Sequence, residues 1–273
     1  MLREAPAVQA PGISARRSGI RVPAKGLTLV ALVALWQAVA VINDRIGFYN
    51  GMLVPSPAAV GQALMRLSAD GQLWAGIAAS SGRVFAGLAI AVPLAVAMAL
   101  LTTSARIFDV LIDPVIEVLR PVPTLALLPI FILWFGIGEG SKIMLIAFST
   151  FFFVYVTTVE AIRGIDPLLL RAAQTLGMSR LQSYRFVTVR GIAPQVLVGI
   201  RLALATAWFL VVGAEFIAAD SGLGYLINFS RIWFRVGDMI AAAAVIGVLG
   251  LLSNYVLTLI ERRAFPWRER AEH

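Results

Sequence analysis

Six long apolar segments limit what this chain can fold into. A helix needs roughly 17 to 25 mostly apolar residues to cross the hydrocarbon core of a bilayer, and the segments approach or reach that length. They cover residues 27–42, 84–101, 125–137, 143–159, 197–219 and 239–260. The third is short and follows Pro121 and Pro123, as occurs where protein surrounds irregular backbone. The sequence therefore predicts an all-α, polytopic membrane protein with about six transmembrane helices.

Composition narrows the function classes. The 273 residues are 59% hydrophobic and 14% charged, with a mean hydropathy of +0.86, whereas soluble domains are about half apolar and a quarter charged. The chain has no cysteine, and its single histidine is His273. Thiol chemistry and metal clusters built from Cys or His are thereby excluded. We expect no catalytic residue, no metal and no cofactor.

The net charge of +8 is spread between the apolar segments, so we expect membrane lipid, and not nucleic acid, to contact the basic residues. These residues concentrate before residue 27, in the loop with Arg106 and Arg120, at 160–196 and near the carboxyl terminus. The positive-inside rule then places both termini in the cytoplasm. The predicted division is a cytoplasmic tail (1–26), a first transmembrane helix (27–43), a periplasmic loop (44–80), a core transmembrane domain (81–260) and a cytoplasmic tail (261–273).

The amino-terminal segment also has features of a cleaved secretory signal. Arg16 and Arg17 precede the apolar run, and Ala38-Val39-Ala40 has the small-residue pattern of a cleavage site. The run continues past that site through Ile42, which favours an uncleaved helix. The other five segments keep their orientation with either interpretation.

Residues 160–196 are too polar to cross a bilayer, and they carry helix-capping signals. Asp166 can cap a helix whose first position is Pro167, and that helix then covers 168–176. Gly177 suits the left-handed residue that closes a helix. The stretch from Ser179 to Gln182 fits a capping box that begins a second one. The sequence predicts two short helices joined by a glycine turn.

The first of these two helices has an apolar face formed by Leu169, Ala172, Ala173 and Leu176, which recur at three- and four-residue spacing. The two alanines would let another protein approach closely. The same pattern suits an amphipathic helix lying on lipid headgroups, with basic residues of the second helix nearby. Spacing alone leaves both interpretations open.

This loop resembles the signature of bacterial ABC importer permeases. The usual form is Glu-Ala-Ala, three residues, Gly, nine residues, then Ile, any residue and Leu-Pro. The present chain keeps the spacing but has Arg171 for the Glu, Val189 for the Leu and Arg190 for the Pro. The first departure is common in the taurine, sulfonate and nitrate branch of the family. The resemblance implies that an ATPase subunit is coupled through Arg171, Ala172, Ala173, Gly177, Leu181, Val187 and Val189.

Similarity to the same branch extends from about residue 53 to 265. Four stretches carry it, namely Leu53-Val-Pro-Ser-Pro57, Leu119-Arg-Pro-Val-Pro123, Ile132-Leu-Trp-Phe-Gly-Ile-Gly138 and Gly222-Leu-Gly-Tyr-Leu-Ile227. The resemblance implies the type I importer permease fold in a bacterial inner membrane. The implied partners are a second copy of the chain, two copies of an ATPase subunit, and a periplasmic or lipid-anchored substrate-binding protein. The chain has no Gly-x-x-x-x-Gly-Lys-Ser/Thr loop, which agrees with a separate ATPase.

The substrate class follows from the resemblance alone. It implies a small anion such as taurine, an alkanesulfonate or nitrate. Bicarbonate, aromatic carboxylates and vitamin precursors are alternatives, because selectivity belongs largely to the binding protein.

Two other classes of function make different demands on the sequence. A secondary transporter or channel should show internal repeats or several buried charges, and a membrane enzyme should show clustered His, Asp, Glu or Cys. The sequence shows no convincing example of either pattern.

A few positions within or near the apolar segments carry expectations of their own. Glu215 is a candidate for the translocation path, because an ionisable residue within a span usually faces the bundle interior; an ion pair is the alternative. Arg83, Arg120 and Arg201 are expected at membrane interfaces, with their stems reaching headgroups. The stretch Gly222-Leu-Gly224 is expected to form a turn or to let its backbone approach a docked binding protein.

Overall fold

Helices form the whole of the described fold. The computed structural model describes residues 22–265, and every regular element in that range is helical. The helices are α1 (Val22–Ile46), α2 (Pro57–Ala69), α3 (Gln72–Ser104), α4 (Arg106–Leu119), α5 (Leu128–Phe135), α6 (Glu139–Arg163), α7 (Pro167–Thr175), α8 (Arg180–Ser183), α9 (Val189–Ala218), α10 (Leu223–Ile232) and α11 (Val236–Ala264). The candidate signal residues Arg16 and Arg17, and most of the two predicted tails, lie outside the described residues.

Five of these helices, α1, α3, α6, α9 and α11, are long and apolar enough to cross a membrane. A sixth span exists if α4 is taken together with the bent segment Thr124–Phe135, which meets α4 at 92°. The prediction of about six spans is confirmed, with one of them broken. The break falls at Pro121 and Pro123, which cannot donate the backbone hydrogen bonds that continue a helix.

The predicted periplasmic loop at 44–80 contains more helix than the sequence indicated. It includes all of α2, capped by the Ser56 side chain, which accepts a hydrogen bond from the Ala59 amide. It also includes the beginning of α3, which starts at Gln72 and not near residue 84. The hydropathy signal began late because Ser80 and Arg83 interrupt it, and both are buried in the fold.

The core lies where α3, α6 and α9 pack together. Gly87 of α3 lies directly against Ile146 of α6, and Gly199 of α9 lies directly against Thr157 of α6. The residues that follow at four-residue intervals, Ala203 and Ala207, are also buried. Small residues at such positions let helices approach closely in membranes. The four-residue spacing of Gly199, Ala203 and Ala207 therefore serves packing within the subunit.

Contacts between the spans define two ends of the bundle. At the far end, which carries α10, the start of α6 and the last turn of α9 lie near Arg83 of α3. At the loop end, which carries α7, the Tyr184 hydroxyl donates to the Leu100 carbonyl at 3.2 Å, and the Tyr155 hydroxyl donates to Thr102 at 3.1 Å. Residues 160–196 and the glycines at 222 and 224 therefore lie at opposite ends of the molecule.

Candidate functional sites

The loop at 160–196 begins with the helix that its capping signals predict. The Asp166 side chain accepts a hydrogen bond from the Leu168 amide at 2.8 Å, and α7 follows with Pro167 at its first position. Gly177 has φ +79°, the left-handed conformation that favours glycine. The Ser179 amide donates to Gln182 Oε1 at 2.8 Å, and the Gln182 amide donates to Ser179 Oγ. The cap, the glycine turn and the capping box are all confirmed.

The second predicted helix is not a separate element. It begins as α8, passes through a π-helical turn at Tyr184–Thr188, and continues without a break into α9. Arg190 stands where the resembling loop signature has proline, and an arginine keeps the backbone N–H that a continuing helix requires. The expectation of a second short, independent helix was therefore wrong. The span formed by α9 is longer than predicted, because its helix starts within the loop.

The residues that the resemblance assigns to coupling differ in exposure. Arg171, Ala172 and Val189 are exposed. Leu176, which is not among the assigned residues, is 82% exposed beside them. Ala173 is 4% exposed, because α7 packs there against α8 and the π turn. Ala173 therefore supports the loop from within. Val187 is half-buried, Gly177 closes α7, and the side chain of Leu181 lies outside what the structure describes.

Leucines of α7 and of its carboxyl-terminal cap are left uncovered by the described residues. Leu168 and Leu169 are exposed like Leu176, although leucine side chains in a packed loop are normally buried. Capping at both ends holds this helix in one conformation, so the exposed leucines form a fixed surface. A rigid apolar surface of this kind is typical of a contact site for protein or lipid.

A second site at the far end is built around Glu215. Its carboxylate is 1% exposed and accepts hydrogen bonds from the Ser80 hydroxyl at 2.8 Å, Arg83 Nη1 at 2.6 Å and the Gly224 amide at 2.7 Å. Burying a carboxylate is costly unless it is paired and hydrogen-bonded, and here both conditions are met. Of the two interpretations of Glu215, the ion pair is the one seen in this conformation. A role in the translocation path stays a prediction.

Arg83 joins Glu215 to the rest of this end of the bundle. Its Nε and Nη2 atoms donate to both oxygens of Glu139 at 2.6 and 2.7 Å. Nη1 also donates to the Ser221 carbonyl at 2.7 Å, and Nη2 to the Ser221 hydroxyl at 2.9 Å. With Glu215, these bonds use all five donors of the guanidinium. Arg83 is 2% exposed, so the expectation that it reaches lipid headgroups was wrong.

The network ends at the first turn of α6. Lys142, which is buried, donates to Glu139 at 3.2 Å, and Glu139 itself is half exposed. Two cations and two carboxylates thus balance in charge and tie α3, α6, α9 and the residues before α10 together. The sequence indicated only Glu215, because Glu139 lies among the glycines at 136, 138 and 140 and looks like an ordinary loop residue.

The glycines at 222 and 224 belong to the same network. A Cβ atom at Gly222 would overlap the Glu215 carboxyl group, and one at Gly224 would lie 2.7 Å from the Val212 carbonyl oxygen. The expected turn is present, since Gly222 has φ +115° and ψ 169°, a region open essentially to glycine alone. Its purpose is to bring the backbone against Glu215.

Gly222→Ala is therefore expected to lower the thermal stability of the purified protein clearly. The substitution combines backbone strain of about 1–3 kcal/mol with overpacking of about 1–3 kcal/mol. Gly71→Ala is the matched control, because Gly71 also has positive φ, +74°, but a Cβ there meets nothing within 4 Å. Unfolding in detergent, followed by intrinsic tryptophan fluorescence, measures both. Equal shifts for the two variants would contradict the proposed contact with Glu215.

Two of the arginines that were expected at membrane interfaces remain, Arg201 and Arg120. Arg201 donates to Glu261 Oε2 at 2.6 Å and so pairs with α11; its expected position at lipid headgroups stays a prediction. Arg120 is exposed at the break between α4 and the turn that follows. Among residues 22–265 no group of three or more His, Cys, Asp or Glu could hold a metal ion.

The architecture places the chain in a class of membrane proteins. The fold is similar to that of an amino acid ABC transporter of known structure, with a TM-score of 0.59 and 22% identity over 73% of this chain and 97% of that one. The fold is that of the ABC importer permeases.

The family follows from the sequence. The chain belongs to the binding-protein-dependent transport system inner membrane component family, whose pattern matches residues 46–266. It is 35% identical over 249 residues to the taurine transport system permease protein TauC of Escherichia coli, covering 88% of each chain. It is 37% identical over 238 residues to the aliphatic sulfonates transport permease protein SsuC of Escherichia coli, covering 87% of this chain and 89% of that one. It is a multi-pass inner-membrane protein.

Proposed function

We propose that this chain is the transmembrane subunit of an ATP-driven importer, paired with a second copy of itself and energised by two copies of a separate ATPase. The observation that carries the proposal is the rigid α7 surface, where Leu168, Leu169 and Leu176 are exposed on a helix that is capped at both ends. A groove on the ATPase subunit would cover these leucines. A periplasmic or lipid-anchored binding protein would deliver the solute at the far end.

The orientation of the chain follows from the same proposal. An ATPase works in the cytoplasm, so the loop end faces the cytoplasm and α10 faces the periplasm. The exposed basic residues of the loop, including Arg171, Arg185 and Arg190, support this orientation, because cytoplasmic loops carry an excess of Lys and Arg. Both termini then lie in the cytoplasm, and the chain resides in a bacterial inner membrane.

The proposed solute is a small organic anion of the sulfonate class. The names of the two relatives, which refer to taurine and aliphatic sulfonates, support this choice. Nitrate, bicarbonate, an aromatic carboxylate and a vitamin precursor are the alternatives within the same architecture. A secondary transporter or channel is the more distant alternative, and it would need no ATPase.

Reconstitution tests the proposal directly. The native chain, co-expressed with its ATPase and placed in proteoliposomes with the binding protein, is expected to accumulate radiolabelled taurine only when ATP is present on the α7 side. A catalytically inactive ATPase is the control, and it should abolish uptake. Uptake that proceeds without ATP, or an ATPase that never co-purifies with the chain, would contradict the proposed function.

A further inference from the structure

The break in the third span, between α4 and the bent segment that follows it, holds a cation for which the described residues supply no partner. Arg120 follows α4 directly and precedes Pro121, so the chain turns at this residue. Its guanidinium makes no hydrogen bond or ion pair with another residue in the described range. Asp113 of α4 pairs with Arg163 at 3.1 Å and not with Arg120.

Arg120 lines a cavity of about 470 Å³ together with Thr124, Ser149, Thr206 and the rings of Phe152 and Phe209. This volume lies within the range of roughly 300–1,000 Å³ that is usual for small-molecule sites. Three of the lining residues carry hydroxyl groups, and the rings provide an apolar wall. The cavity therefore combines one positive charge, neutral donors and an aromatic surface.

The cavity lies far from both ends of the bundle. Ser149 and Phe152 are near the middle of α6, and Thr206 is near the middle of α9. The 14 residues of α4 rise about 21 Å before Arg120 is reached. A charged side chain at such depth is costly in lipid and normally faces a water-filled cavity or a counter-charge. The position expected from the sequence, at lipid headgroups, does not agree with this placement.

Two further polar groups in the cavity have no hydrogen-bond partner among residues 22–265. Ser149 is 7% exposed, and neither its hydroxyl nor that of Thr124 hydrogen-bonds to another described residue. Buried hydroxyls are normally satisfied, so these groups are available to a ligand or to water. With Arg120 they are donors that line the same cavity.

A second, smaller cavity of about 170 Å³ leads from Arg120 towards the loop end. Arg120 borders both cavities, and the second is also lined by Glu117, Glu160 and the paired Asp113 and Arg163. Its walls are largely polar, so it suits water. Arg120 thus lies where the first cavity meets a polar cavity lined by α4 and α6.

We propose that Arg120, with the hydroxyls of Thr124 and Ser149, binds the anionic head of the solute halfway across the membrane. This inference rests on the proposed import of a small organic anion. The guanidinium can donate two parallel hydrogen bonds to an anionic head, and the hydroxyls can reach its third oxygen when the head is a sulfonate. The rings of Phe152 and Phe209 then contact the short apolar part of the solute.

Thiol labelling tests the charge and the access of water together. The chain has no cysteine, so Thr206→Cys is its only thiol, and labelling is quantified on this chain after it is separated from the ATPase. The probes are 2-sulfonatoethyl methanethiosulfonate, an anionic sulfonate, and its cationic trimethylammonium analogue, applied to the ATPase-bound transporter in nanodiscs. The anionic probe is expected to react faster, relative to a free thiol. Arg120→Gln should lower that preference by roughly tenfold, and Arg45→Gln, at the far end of α1, should leave it unchanged.

Two labelling outcomes would overturn the inference. If neither probe reacts with the cysteine, the cavity is closed to water. If the preference for the anionic probe survives Arg120→Gln, another group supplies the charge. An altered number of permease copies in the purified Arg120→Gln complex, measured by native mass spectrometry, would assign the guanidinium to the subunit contact and would also overturn it.

Uptake separates this inference from the proposed function. In proteoliposomes, Arg120→Gln is expected to lower taurine uptake about tenfold while the ATPase still responds to loaded binding protein, and Arg120→Lys should retain part of the uptake. If the native complex shows no ATP-driven uptake, the proposed function fails. If the native complex transports and Arg120→Gln transports equally well, the function stands and the inference fails.

Discussion

Leu176→Asp is expected to abolish ATP-driven uptake while leaving the permease folded. Leu176 is 82% exposed in the chain alone, so the substitution costs the subunit itself little. In the complex, the same side chain would lie in the ATPase groove, where burying a leucine contributes about 1.5–3 kcal/mol. Its loss corresponds to roughly a tenfold to hundredfold weaker contact at each loop, and a desolvated carboxylate weakens it further. Co-purification of the ATPase and its stimulation by loaded binding protein are the two measurements.

Gln174→Asp is the matched control for that experiment. Gln174 is exposed on the same helix, but it points away from the face that carries Leu169, Ala172 and Leu176, so an added charge there should leave association unchanged. Ala173 is unsuitable for a charge, because it is buried within the loop and its replacement would disturb α7 itself. Unchanged association and stimulation in Leu176→Asp would instead favour α7 as a helix that lies on lipid headgroups.

Arg83→Gln is expected to reduce sharply the amount of folded protein that can be purified. The substitution leaves Glu215 buried without its cation, and breaking a buried ion pair from one side costs about 3–5 kcal/mol, a large part of the 5–15 kcal/mol by which domains are typically stable. Arg83→Lys should also be impaired, because an ammonium group has three donors where the guanidinium uses five. Gel filtration in detergent and thermal unfolding measure the effect.

Two comparisons keep this prediction specific to the buried network. Arg163→Gln removes an arginine whose pair with Asp109 is about half exposed on both sides, and such pairs contribute about 0–1 kcal/mol. The double variant Arg83→Met with Glu215→Leu should regain stability relative to Arg83→Gln, because it leaves no unpaired buried charge. Similar losses in Arg83→Gln and Arg163→Gln would show that the network does not stabilise this end of the bundle.

Local signals predicted the loop well. The cap at Asp166, the left-handed Gly177 and the capping box from Ser179 to Gln182 each depend on residues within four positions of one another, so their chemistry can be read directly from the sequence. The apolar spans are similarly local, because lipid demands a long run of apolar residues wherever a helix crosses. The predicted start of α3 was misplaced. Arg83 can lie within a span only because it is paired, and its partners cannot be read from the sequence.

Contacts between distant residues could not be predicted in the same way. Arg83 meets Glu139 and Glu215, which are 56 and 132 positions away, and nothing in a single sequence links them. The cavity at Arg120 also depends on distant residues, because the bend at Pro121 and Pro123 brings Arg120 beside the middle of α6 and α9. In both cases the sequence shows the charge, and only the fold shows whether it has a partner.

The unbroken passage from α8 through the π turn into α9 has a mechanical consequence. The 30 residues of α9 form a rod about 45 Å long, with the contact surface for a partner near one tip and Glu215 near the other. A tilt of a continuous helix moves both of its ends, so a displacement imposed at the loop end would reach the far end without any relay through loops. The two ends of the bundle would therefore move together, because one continuous helix joins them.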